Sequence, residues 1–102
     1  MKTFTFPKET MESINTLVLT SPTPTLEDAR MCIKIADNLE AELEKAKEED
    51  KEFEITVELA DEKFMFMKKK LEDHGMSGKA GIVWVDKRKY VNMMNELDEI
   101  AK

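Results

Sequence analysis

Residues 53–59 alternate apolar and polar side chains without a fault: Phe53, Ile55, Val57 and Leu59 are separated by Glu54, Thr56 and Glu58. Successive side chains of a strand point to opposite faces, so this run predicts a strand with one buried and one solvated side. Residues 2–6 repeat the pattern on a smaller scale, with Phe4 and Phe6 on one face. Most of the remaining apolar residues recur at steps of three and four, which is the spacing of helices. Two short strands and several amphipathic helices in 102 residues predict a single α+β domain over residues 1–102, since a chain this short does not build two independent cores.

Pro7 ends the first strand and suits the first turn of a helix. Met11, Ile14, Leu17 and Val18 then predict a helix over about residues 8–19. The segment Thr20-Ser21-Pro22-Thr23-Pro24 breaks it, because two prolines cannot continue a helix. Thr25 is a good N-cap, with Glu27 and Asp28 placing negative charge where the dipole favours it. Ala29, Cys32, Ile33, Ala36, Leu39 and Leu43 give one stripe, so a long helix is expected over residues 26–48. Its charged end, residues 44–51, reads as a solvated helix end and connector.

Beyond the second strand, Asp61 is expected to cap a third helix carrying Phe64, Met67 and Leu71 on one side, with Gly75 stopping it. Gly78 and Gly81 bracket a flexible stretch. The apolar run Ile82-Val83-Trp84-Val85 fits either a strand or a buried helix start. Asp86 is the expected cap of a last helix with a stripe of Tyr90, Met94, Leu97 and Ala101, flanked by Val91 and Ile100. The expected fold therefore has four helices and a small two- or three-stranded sheet.

The two halves, residues 1–51 and 52–102, have the same order of strand, short helix, break and second helix. Phe6-Pro7-Lys8-Glu9 and Leu59-Ala60-Asp61-Glu62 occupy equivalent places, as do Ala36-Asp37-Asn38-Leu39 and Met94-Asn95-Glu96-Leu97. A duplicated strand-helix-helix unit is one arrangement this order allows, with the strands paired across a pseudo-twofold axis and the helices on one face. The ten residues 55–64, Ile-Thr-Val-Glu-Leu-Ala-Asp-Glu-Lys-Phe, resemble openings of small bacteriophage and prophage proteins. The resemblance implies a phage or bacterial source and assigns neither function nor site.

Composition narrows the function. The charged fraction is 37% and the net charge −6, which disfavours general binding to phosphate backbones. One cysteine, Cys32, excludes an intrachain disulfide. No run approaches the roughly 20 apolar residues of a membrane span, and residues 1–7 do not resemble a secretory signal, so a cytoplasmic location with no membrane partner is expected.

Catalytic chemistry is poorly supplied. Nucleophilic catalysis needs a nucleophile beside an oriented base, yet the single histidine, His74, ends a helix beside a glycine. Cys32 sits on an apolar stripe, as a small core residue would. Pairs such as Asp37 with Glu40, or Glu40 with Glu44, arise by chance among 22 acids. Residues 75–81, Gly-Met-Ser-Gly-Lys-Ala-Gly, lack the glycine spacing and the Ser/Thr of a phosphate loop. No enzyme activity, cofactor or metal is expected.

Two groups of residues stand out instead. Phe64, Met65, Phe66 and Met67 cannot all share one helix face. With Trp84, Met93 and Met94 they either sandwich their helices in the core or supply a self-association or partner surface. Lys68, Lys69 and Lys70, with Lys79, Lys87, Arg88 and Lys89, would form a basic patch if their helices are neighbours. Basic residues in the first turn of the last helix oppose its dipole, which favours a role such as contact with phosphate or an acidic protein. The expected function is a non-enzymatic, protein-binding accessory factor of phage type acting as a homo-oligomer, its partner unknown. The alternatives are a nucleic-acid-binding protein using residues 68–70 and 87–89, or an acidic mimic of DNA built on Glu40, Glu42, Glu44, Glu48 and Glu49.

Overall fold

A computed structural model describes residues 1–49, 54–75 and 87–102. Phe53, Lys79, Trp84 and Asp86, together with the glycine-bracketed stretch and the run 82–85, lie outside the described residues. Strand β1 (Lys2–Pro7) leads into helix α1 (Lys8–Thr20), then α2 (Leu26–Glu48), strand β2 (Glu54–Leu59), α3 (Asp61–His74) and α4 (Lys87–Ala101). The fold is α+β, with four helices and an antiparallel sheet of two strands.

Each boundary has a local cause. Pro7 is the N-cap residue of α1 and fixes a φ of −56° at the turn from strand to helix. At the other end Ser21 is extended, with ψ 144°, because the following proline disfavours helical backbone. Its amide still donates to the Leu17 carbonyl at 2.8 Å. Thr25 opens α2, its hydroxyl accepting from the Asp28 amide at 3.1 Å. Asp61 does not cap α3. Ala60 holds that place without a side-chain bond, and Asp61 is the first helical residue, where its charge suits the dipole.

Gly75 ends α3 for a reason other than backbone freedom. Its φ and ψ of −59° and −30° are right-handed helical values, open to any residue. A β-carbon there would overlap the Tyr90 ring and the Leu71 carbonyl oxygen. The glycine is needed because α4 packs that close.

In the sheet Phe4 pairs with Val57 and Phe6 with Ile55, and these face the helices. On the open side the Thr5 and Thr56 hydroxyls meet at 2.8 Å. α2 packs on β2 while α4 packs on β1, and α1 lies against both α2 and α3. Each strand is thus covered by the second helix of the other half. Buried positions follow the same exchange. Phe4, Phe6, Met11, Ile14 and Val18 correspond in order to Val57, Leu59, Phe64, Met67 and Leu71, and all are buried. In the second helices Cys32, Ile35, Ala36 and Leu39 correspond to Tyr90, Met93, Met94 and Leu97, again all buried. The exchange is not exact: among the described residues α2 packs on α3, and α1 on β2, more closely than α4 does on α1 or α3 on β1.

Candidate functional site

α3 distributes its apolar run over three directions. Phe64 and Met67 are fully buried, and the Phe64 ring lies 5.8 Å from that of Phe4. Phe66 is half-buried against the core and Met65 is 47% exposed. Met93 and Met94 are also core residues of α4. Phe64, Met67, Met93 and Met94 therefore fill the chain's own interior and are not available to an outer surface. The helical period explains this, since residues three and seven apart share a face and α3 has its inner side on 64, 67 and 71. Met65 and Phe66 are what remains of the expected surface, and Trp84 lies outside the described residues.

Apolar residues outside that run are exposed as well. Ile33 was expected on the buried stripe of α2, but it is 53% exposed and Ile35 is buried in its stead. Ile35 completes the face of Cys32, Ala36 and Leu39, while Ile33 stands 100° round the helix from Cys32. Leu26 is 66% exposed, and Val91 of α4 is also half exposed. Leu26 and Ile33 lie two turns apart on one line of α2.

Two clefts lie against α2 and α3. One, about 390 Å³, is lined by Pro24, Asp28, Phe66, Lys69, Lys70 and Asp73. The other, about 360 Å³, is lined by Glu27, Arg30, Met31, Lys34 and Glu62. Charged groups of both signs line each cleft, with Phe66 as an apolar wall of the first and Met31 of the second.

The basic residues do not converge. Three consecutive helical positions point about 100° apart, and Lys68, Lys69 and Lys70 do so. Lys68 turns to α4, its ammonium 2.8 Å from Asp98 there and 2.7 Å from Glu72 on α3 itself. The hydrogen bonds it donates to Asp98 and Glu72 hold its pKa above the ordinary lysine value. Lys70 turns the other way, donates to the Pro22 carbonyl at 2.8 Å and sits 5.5 Å over the Phe66 ring. Lys69 is exposed at the cleft lined by Phe66. Lys87, Arg88 and Lys89 are exposed on the first turn of α4, where the Tyr90 hydroxyl donates to the Leu71 carbonyl at 2.7 Å. That bond sets the basic turn beside the C-terminal end of α3, whose partial negative charge favours cations. Lys79 lies outside the described residues.

Reactive groups are subdued by their surroundings. Burial pushes up the pKa of the Cys32 thiol, against a lowering by nearby Lys70 and by a hydrogen bond with Ser21. Burial, then the charges of Glu72 and Asp73, raises that of Tyr90. His74 is half-buried rather than exposed. Glu40 accepts a hydrogen bond from Asn15 Nδ2 at 3.3 Å. Among the described residues no three His, Cys, Asp or Glu side chains form a group able to hold a metal ion. No helix among them is long and apolar enough to cross a membrane.

No protein-family model matches the chain, and no curated protein and no solved structure is detectably similar to it.

Proposed function

We propose that the chain is a non-enzymatic, protein-binding accessory factor that acts as a homo-oligomer, the resemblance of residues 55–64 pointing to a phage-type source. The observation that carries this reading is the exposure of Leu26, Ile33 and Met65 on α2 and α3, two helices that touch and that also carry the clefts lined by Met31 and by Phe66. Scattered single apolar residues are ordinary on a surface. Here they gather on two adjacent helices, and methionine suits adaptable packing. The nucleic-acid alternative loses support from the divergence of Lys68 and Lys70, each already engaged within the chain.

Sedimentation at micromolar concentration tests the proposal. A species heavier than 11.8 kDa that reverts to monomer on replacing Leu26, Ile33 and Met65 with serine is the expected result. A strict monomer that retains no protein partner would remove the reading.

A further inference from the structure

We infer that the partner on the outer face of α2 is a second copy of the same helix, packed antiparallel about Ile33; this rests on the self-association proposed above. The outer line of α2 carries Leu26, Arg30, Ile33, Asp37 and Ala41, all exposed. Steps of four and three keep these residues on one face, the spacing of a helix–helix seam. A twofold axis sets each residue against its mirror position in the partner. With the axis between Ile33 and Lys34, Arg30 falls opposite the partner's Asp37, and this pairing occurs twice. In the same register Leu26 falls opposite the partner's Ala41, a large apolar side chain over a small one. Ile33 packs at the centre beside the aliphatic stem of the partner's Lys34.

The orientation and the choice of face have further support. Parallel, in-register pairing would set Arg30 against the partner's Arg30 and Asp37 against the partner's Asp37, whereas the antiparallel register sets each against its opposite charge. On α4 the equivalent of Ile33 is Val91, also half exposed, and the equivalent of Arg30 is Arg88. There Asn95 stands where α2 has Asp37, and Glu99 where it has Ala41. The twofold charge and size match belongs to α2 alone of the two. The contact from residue 26 to residue 41 is roughly 24 Å long at 1.5 Å per residue, so it makes a small, reversible interface.

Charge exchange tests the register. R30E and D37R each set like charges together and should weaken the dimer on the order of tenfold in sedimentation equilibrium. The double variant R30E/D37R restores opposite charges and should recover most of the loss. Ile33→Cys should cross-link between copies under mild oxidation, and Thr56→Cys on the open sheet face should not. A chain that self-associates but ignores both charge variants overturns the α2 pairing and leaves the self-association reading standing. A chain that stays monomeric throughout overturns both.

Discussion

The two helix pairs repeat one order of elements yet are fastened by different means. α3 and α4 are joined by directed polar bonds: Lys68 reaches Asp98, and Tyr90 reaches the Leu71 carbonyl. Against these, α1 and α2 rely on apolar packing, with Asn15 to Glu40 as a polar link at 3.3 Å. Polar links fix a helix pair at chosen points, whereas apolar packing spreads over a face and depends on shape. The pair held by shape also carries the longer helix, whose far side is left with Leu26 and Ile33 in water.

Six substitutions would sharpen or break this contrast. The largest effect is expected for Phe64→Ala, which empties the place where α3 meets the sheet and should cost about 3–5 kcal/mol in urea unfolding. Gly75→Ala should cost about 1–3 kcal/mol by forcing the added methyl group against the Tyr90 ring and the Leu71 carbonyl. Tyr90→Phe should cost only about 0.5–1.5 kcal/mol, near the lower end, because the Gly75 amide still donates to the Leu71 carbonyl. A Gly75→Ala protein as stable as the parent would deny the close approach of α4.

Lys68→Met should cost up to about 1 kcal/mol, with the loss shrinking as salt is added. The pH dependence has a definite sign. Lys68, Tyr90 and Cys32 all have pKa values raised in the folded state, so the folded chain keeps its protons longer than the unfolded one. Their contributions are therefore full at neutral pH and are lost as pH rises above about 9–10. Thermal melts should fall off on the alkaline side, less steeply in Lys68→Met. The smallest effect on stability is expected for Ile33→Ser and Met65→Ser, within about 0.5 kcal/mol; a larger loss would mean that these side chains support the fold of a lone chain.

Much of the fold was legible in the sequence. Strict alternation gave both strands, and the two prolines after Ser21 placed the break and the start of α2. The misreadings have physical reasons. Ile33 and Ile35 are both β-branched and apolar, and spacing from Ala29 and Ala36 favours the wrong one; α2 faces β2, α1 and α3 together, a direction its own sequence does not encode. Met93 and Met94 looked like surplus because adjacent positions diverge by 100°, but α4 is covered over a wide arc. The basic residues make one patch only if their helices are neighbours and their side chains turn the same way. α3 and α4 do touch, but the helical period sends Lys68 and Lys70 about 200° apart, one to Asp98 and the other to the Pro22 carbonyl.

The sheet joins the first strand of the chain to one that begins at residue 54, and each strand is roofed by a helix from the opposite half. Neither half therefore owns a complete interior. A chain severed between α2 and β2 would yield two fragments, each with an unpaired strand and a helix that has lost its seat. Mixed in solution, they are expected to recover helical circular dichroism together and to lack it apart, in the manner of complementary fragments.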